Sequence, residues 1–221
     1  FFPNWVDVEA IRPLDGRNAL REELGIGRDD VVLLYSGNMG AKQGLEILPR
    51  LAERLRAHAR LRFVICGDGA YRGRLEQGVG GLANVTFLPL QPVERLNELL
   101  NLADIHLLPQ RAGAADLVMP SKLTGMLASG RPVIATAAAG TQIASAVEGH
   151  GIAVAPGDVE AMAQAAVLLA DNAALRSRMG DAARGFAVRE LALDSVLLRF
   201  ESALAGERVE APGAAIAESG D

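Results

Sequence analysis

The chain has 221 residues, half of them hydrophobic and 22% charged, so it can bury the core of one large domain. Its formal net charge, 22 − 27 = −5, argues against a broad electrostatic grip on nucleic acid and leaves only a local basic patch open. The single cysteine, Cys66, excludes an internal disulfide framework and fits a reducing compartment, and no apolar run reaches the ~18 residues of a membrane-spanning helix. No basic-then-apolar leader opens the sequence, and a chain that starts on Phe1 is expected to be a fragment or a processed product.

Phe1–Pro13 carries apolar side chains without a period; Phe1, Phe2, Trp5 and Val6 read as a connector covering part of a core. A short helix is predicted over Arg17–Leu24, closed by Gly25. Val31–Ser36 is an unbroken apolar strand, followed by the glycine-rich turn Gly37–Gly44. Leu45–Ala57 places Leu48, Leu51, Ala52 and Leu55 on one helical face. Arg62–Cys66 is a second strand, Gly67-Asp68-Gly69 a turn, and Tyr71–Gln77 a short polar helix. A third strand, Val85–Leu88, precedes a helix over Val93–Leu102 with Leu96, Leu99 and Leu100 inward, then a fourth strand, Ile105–Leu108. Within Asp116–Thr136, Pro120 stops what precedes it and Ser121 is placed to cap a helix bearing Leu123, Met126 and Leu127. Gly130 and Pro132 end that helix, and the β-branched run Val133–Thr136 is a fifth strand. Ile152–Val154 is a sixth. Helices follow over Val159–Leu169, Ala173–Val188 and Asp194–Leu204, and Leu191, Leu193, Val196, Leu197, Phe200 and Leu204 form a broad apolar set around the last. Glu207–Asp221 reads as a disordered tail.

Unbroken apolar strands alternating with helices imply an α/β class: a Rossmann-like, doubly wound parallel sheet of about six strands. In that architecture ligands sit beyond the carboxyl ends of the strands, near the switch in strand order. Three segments are candidates. Gly37–Gly44 suits a phosphate, with Lys42 adding charge at a helix start, although it lacks the P-loop order and a plain strand-to-helix turn remains open. Gly67-Asp68-Gly69-Ala70-Tyr71-Arg72 nearly matches the dinucleotide fingerprint. Arg72 holds the place of the third glycine there, which weakens a nicotinamide-dependent oxidoreductase reading and leaves a tight turn as the alternative. The start of the Ser121 helix, with Lys122, is an anion site or an ordinary capped helix with a solvated lysine. Asn84-Val85-Thr86 formally matches a glycosylation acceptor but opens a strand, and is discounted. His58, His106 and His150 are scattered, and His106, inside an apolar strand, is expected to be a satisfied core histidine. No Asp-x-Asp pair or His/Cys cluster has metal spacing, so neither a metal site nor a cofactor is expected.

Taken together, these segments resemble the C-terminal, donor-binding domain of retaining GT-B glycosyltransferases, in particular the bacterial exopolysaccharide, capsule and O-antigen group (group 1, family 4 type). The resemblance rests on Phe2-Pro3-Asn4-Trp5-Val6-Asp7, Tyr35-Ser36-Gly37-Asn38-Met39-Gly40, Cys66-Gly67-Asp68-Gly69, Phe87-Leu88-Pro89 and Ala103-Asp104-Ile105. It rests most on Met119-Pro120-Ser121-Lys122-Leu123 with Ala128-Ser129-Gly130-Arg131-Pro132-Val133-Ile134-Ala135-Thr136, and extends to Val154-Ala155-Pro156-Gly157-Asp158. It implies that residues 1–13 are an interdomain linker remnant, 14–206 a nucleotide-sugar-binding domain, and that an acceptor-binding N-terminal half is missing. It further implies a nucleotide-sugar donor, UDP-sugar favoured, and retaining, metal-independent transfer to a polysaccharide or lipid-linked acceptor. Lys42 and Lys122 would stabilise the leaving diphosphate; Gly37, Asn38 and Gly40 would lie against it; Ser121, Leu123 and Thr124 would meet the phosphates. Gly67, Gly69, Leu88 and Pro89 would frame the nucleoside. The whole enzyme would be cytoplasmic, at the inner membrane face through its absent half, and the fragment alone would bind donor without transferring it. The last helix would be exposed or covered by another copy of the chain. A split two-chain transferase with a non-catalytic nucleotide-binding subunit is the second reading. Two departures stand out. The paired glutamates of many relatives would fall at Leu117 and Gly125, with Asp116 one residue early, and Asn38 stands where an arginine is common. The Pro-Ser-Lys-Leu form is shared by subfamilies acting on deoxyamino sugars or fucose.

Overall fold

A computed structural model describes residues 4–14, 18–40, 43–111, 113 and 120–205. The expected tail, Lys42, and the Asp116–Met119 part of the central stretch lie outside these residues. Among the described residues six strands form one parallel sheet: β1 (Val31–Ser36), β2 (Leu61–Cys66), β3 (Val85–Leu88), β4 (Ile105–Leu108), β5 (Val133–Thr136) and β6 (Gly151–Val154). Their order is β3-β2-β1-β4-β5-β6, so the winding reverses between β1 and β4. The strands are parallel because each is joined to the next by a helical crossover, and their apolar runs are buried on both faces. β1 and β5 are buried along their whole length.

Alternation along β1 sorts its side chains. Val31, Leu33 and Tyr35 face α2 (Ile47–Arg54) and α7 (Val159–Asp171), where Leu48, Leu51, Met162 and Leu169 complete one core cluster. Val32 and Leu34 face α1 (Ala19–Glu23) and α4 (Leu96–Leu102), meeting Leu20, Leu99 and Leu102. A third cluster joins β4 and β5 to α5 (Ser121–Ala128), α6 (Gln142–Val147) and α8 (Ala173–Phe186). Each fully buried aliphatic side chain contributes about 1.5–3 kcal/mol of transfer free energy. The acid Asp104 fixes one corner: its Oδ2 accepts from the Val32 amide at 2.8 Å and from Arg21 Nη1 at 3.2 Å.

Several helix boundaries differ from the predicted ones. Ser121 is the first residue of α5 and not its cap; the cap position is Pro120, and the Ser121 side chain makes no capping bond. The expected Val93–Leu102 helix is a tight turn over Val93–Arg95 followed by α4, and the change of pitch leaves Leu96 exposed while Leu99 and Leu100 stay buried. α6 was not anticipated, because it is six residues long and emerges from an Ala/Gly string; Thr141 caps it by accepting from the Ala144 amide at 3.2 Å. α8 gives way at Phe186 to a wide turn over Ala187–Leu191, which swings the chain into α9 (Leu193–Leu204).

The connector lies on this domain. The Val6 amide donates to the Leu191 carbonyl at 2.9 Å and Val6 is buried, whereas Trp5 is exposed. Arg184 on α8 holds the segment in place: Nη2 donates to the Val8 carbonyl at 2.9 Å, and Nη1 to those of Ile11 at 2.9 Å and Ala128 at 3.1 Å.

Candidate functional site

The loops leaving β1, β2 and β4 meet backbone to backbone at the switch point. Gly67, at φ +138°, lies so close to the loop after β1 that an added Cβ would stand 2.0 Å from the Gly37 carbonyl oxygen. Only a residue without a side chain fits there. Gly44 plays the same part on the other side, where a Cβ would stand 2.8 Å from the Gln110 carbonyl carbon. Hydrogen bonds close the first contact: Gly37 N–H donates to the Cys66 carbonyl at 3.0 Å, Met39 N–H to that of Asp68 at 2.7 Å, and Tyr71 N–H to that of Met39 at 2.9 Å. Gly37, Asn38, Gly40, Gly67 and Gly69 are therefore parts of one packed rim at the ends of β1 and β2.

Lys122, in the first turn of α5, reaches across to this rim. Its ammonium sits 4.8 Å from the centre of the Tyr35 ring, and a Cβ on Gly37 would lie 3.9 Å from Nζ. Nζ also approaches Gln43 Oε1 at 3.5 Å. Among the described residues no carboxylate pairs with it, and burial pulls its pKa down to about 8. A partly desolvated cation with no counter-ion among the described residues is held beside a glycine-rich loop, an arrangement that favours an incoming anion. Tyr35 is wholly buried, its hydroxyl shared between the Asn38 carbonyl oxygen at 2.8 Å and Gln43 Oε1 at 2.6 Å, and burial pushes the phenol well above its usual pKa.

The rest of the rim comes from β3. The Leu88 carbonyl accepts from Gly67 N–H at 3.2 Å and from Arg72 Nη1 at 3.0 Å; the same Nη1 donates to the Gly67 carbonyl at 2.6 Å. Arg72 is thus a clamp tying the β2 loop to the end of β3, at the position where the dinucleotide fingerprint has a third glycine for close helix–strand packing. Cys66 Sγ lies 3.2 Å from the Pro89 carbonyl oxygen, while the Pro89 ring is exposed.

Not all the sequence-predicted residues face this rim. The Leu123 side chain is fully buried and its amide donates to the Pro120 carbonyl at 2.9 Å. Thr124 is buried as well, its hydroxyl donating to the Ser121 carbonyl at 2.8 Å. The helical period turns both inward and leaves Ser121 and Lys122 outward. Gly125 packs on α4, where a Cβ would stand 3.3 Å from Leu100 Cδ1. Tyr35, Gln43 and Arg72 were not foreseen as site-building residues. One compositional signal could have drawn attention to the site: of 22 lysines and arginines only two are lysines, Lys42 and Lys122.

A cleft of about 310 Å³ lined by Gly44, Glu46, Gln110, Arg111 and Thr136 adjoins the rim at the ends of β4 and β5; Arg111 Nε donates to Glu46 Oε1 there at 2.9 Å. A larger hollow, about 730 Å³, lies between α2 and the start of α7 and contains none of the predicted residues. His106 is a core histidine satisfied on one nitrogen: Ser129 donates to the Met126 carbonyl at 2.7 Å and so accepts from His106 Nε2–H at 3.0 Å, while Nδ1 has no partner among the described residues. Among the described residues no group of three His, Cys, Asp or Glu side chains could hold a metal ion.

The profile of a family described as glycosyl transferases group 1 matches residues 30–172. A protein of Escherichia coli K12 named for colanic acid biosynthesis, the glycosyl transferase WcaI, is 38% identical over 213 residues, 93% of this chain and 51% of its own. The chain thus spans about half the length of that relative. The fold matches sucrose-phosphate synthase from Thermosynechococcus elongatus with a TM-score of 0.77 at 22% identity, over 93% of this chain and 51% of the other. It matches Anabaena HepE, solved in complex with UDP-glucose, with a TM-score of 0.74 at 17% identity, over 91% and 56%.

Proposed function

The chain belongs to the group 1 glycosyl transferases, and on that premise we propose that residues 14–206 form a donor domain that grips the diphosphate of a nucleotide-sugar at the β1–β4 switch point. One observation carries this: a half-buried ammonium, Lys122, with no carboxylate partner among the described residues, held over a buried tyrosine ring beside the glycine-rich rim. The donor is a UDP-sugar, as in the HepE complex, and its diphosphate lies along Gly37, Asn38 and Gly40. Ser121 and Lys122 meet it from α5, and Lys42, outside the described residues, is proposed as a second cation for the same diphosphate. Because Leu123 and Thr124 are buried, the α5 contribution reduces to those two outward residues. Gly67, Gly69, Leu88 and Pro89 bound the nucleoside, the last by its exposed ring. Retaining transfer is part of the proposal, and it would need no metal because the Lys122 ammonium and the start of α5 would offset the charge that develops on the leaving diphosphate. The acceptor, a polysaccharide or lipid-linked sugar of the kind that the WcaI name implies, is bound by a second domain preceding the linker at residues 1–13. That half would bring the enzyme to the inner face of the membrane.

Titration calorimetry of the 221-residue chain with UDP and GDP tests the assignment. A charge-assisted contact is worth about 1.5–3 kcal/mol, so Lys122→Ala weakens UDP binding by about ten- to a hundredfold, and Lys42→Ala does the same. Neither change lowers the melting temperature appreciably. Unchanged affinity in both variants removes the site, and sugar transfer by this chain alone overturns the placement of the acceptor site in another domain.

A further inference from the structure

We propose that Tyr35 is the positioning residue of this site, its ring seating the Lys122 ammonium and its hydroxyl fixing the turn that the ammonium faces. The inference rests on the donor-site reading and adds to it the group that sets the geometry. Tyr35 is the one aromatic residue in the run Val31–Ser36 and is wholly buried. An aliphatic residue would serve the core there as well; a phenol is needed only if both its ring and its hydroxyl are used.

Both are used, and on the same neighbours. The ring carries Lys122 Nζ at 4.8 Å from its centre. The hydroxyl reaches the Asn38 carbonyl oxygen at 2.8 Å and Gln43 Oε1 at 2.6 Å, two points on either side of the intervening turn. Gln43 Oε1 in turn accepts from Lys122 Nζ at 3.5 Å, so ring, hydroxyl, amide and ammonium form a closed circuit. A single side chain therefore couples the conformation of the glycine-rich turn to the location of the cation, and a diphosphate meets both already in place. The compact ammonium suits this seat, since a planar guanidinium would span more of the rim.

A double-mutant cycle on the full 221-residue chain separates positioning from core packing. UDP is titrated against the wild type, Tyr35→Leu, Tyr35→Phe, Lys122→Met and the double variant Tyr35→Leu/Lys122→Met, with melting curves confirming that each folds. Tyr35→Leu is expected to weaken UDP binding about three- to tenfold, the range of a partly desolvated cation–π contact. Tyr35→Phe, which keeps the ring, loses about twofold. In the Lys122→Met background Tyr35→Leu costs only about twofold, the hydroxyl's hold on the turn, because no ammonium remains for the ring to seat. An equal loss in both backgrounds, or none in either, overturns the proposal.

A second readout needs no ligand. After reductive methylation with ¹³C-formaldehyde the chain presents two dimethyl-lysine signals, assigned with Lys122→Met. The Lys122 signal is expected upfield from the ring current of Tyr35 in wild type and Tyr35→Phe, and at its ordinary position in Tyr35→Leu. An unshifted Lys122 signal in the wild type overturns the seating. If the signal is shifted but Lys122→Met leaves UDP affinity unchanged, the donor-site reading has failed while the seat stands, and Tyr35 then positions the lysine for something other than a diphosphate, which also overturns the proposal as stated.

Discussion

If Lys122 grips the donor diphosphate as proposed, the affinity depends on pH in a definite direction. In the free chain burial holds its pKa near 8, below the ordinary lysine value, whereas two phosphate charges beside it favour the protonated form and raise that pKa. Between these two values binding takes up a proton, so UDP affinity falls as pH rises above about 8, approaching tenfold per unit. Calorimetry at pH 7, 8 and 9 measures this, and Lys122→Met flattens the profile. His106 acts on stability instead. Burial, and then the charge of Arg131, hold its folded pKa down to about 3, against the ordinary 6.5 of the unfolded chain. The unfolded state binds the extra proton between those values, so this contribution to stability is complete above about pH 6.5 and is lost as pH falls towards 3. The slope approaches about 1.4 kcal/mol per pH unit. Melting curves from pH 4 to 7 should show a shallower acid dependence in His106→Gln than in the wild type.

At the scale of elements the site is a consequence of how three loops pack. Gly67→Ala places a Cβ 2.0 Å from the Gly37 carbonyl oxygen at a φ of +138°. It must part the β1 and β2 loops, at a cost of about 3 kcal/mol or more, and on the donor-site proposal abolish nucleotide binding with it. Gly73→Ala is the control: it lies in α3 (Arg72–Val79), nothing stands within 4 Å of its Cβ position, and φ is ordinary there. The alanine stabilises the helix by about 0.5–1 kcal/mol. Urea titrations of the two variants should therefore move in opposite directions. Arg184 is the corresponding tie on the far side of the domain. Its guanidinium serves carbonyls from the connector and from the end of α5, and its burial pulls its pKa down. Arg184→Met leaves three carbonyls unpaired and should cost about 3 kcal/mol.

Among the described helices α9 leaves the most large apolar side chains outward. Val196 is buried, but Leu198 is 66% exposed and Leu204 73% exposed, with Leu193, Leu197 and Phe200 also outward. Trp5 is exposed on the connector, which pairs with Ala192 at the entrance to this helix. An apolar face of this breadth is the kind that another domain or another copy covers. If copies of this chain pair through it, the melting temperature rises with protein concentration and Leu198→Glu abolishes that rise; if they do not, Leu198→Glu changes stability by less than about 0.5 kcal/mol at every concentration. Sedimentation of the same samples identifies which holds.

What the sequence determined by itself was the sheet and the glycine-rich turns. The runs Val31–Ser36, Arg62–Cys66 and Val133–Thr136 are apolar without alternation, and a strand of that kind has no stable home except between two layers of helices. Gly37, Gly67 and Gly69 were legible as turns because glycine after such a run has few other uses. The tertiary structure alone decided which neighbours those turns acquired. Tyr35 and Lys122 are 87 positions apart, and nothing local to either records that a reversal of strand order between β1 and β4 brings the lysine over the ring. The same holds for Leu123 and Thr124: a helix start told which residues are near its end, but only the packing of α5 against β4, α4 and α8 decided which of them turn into the core.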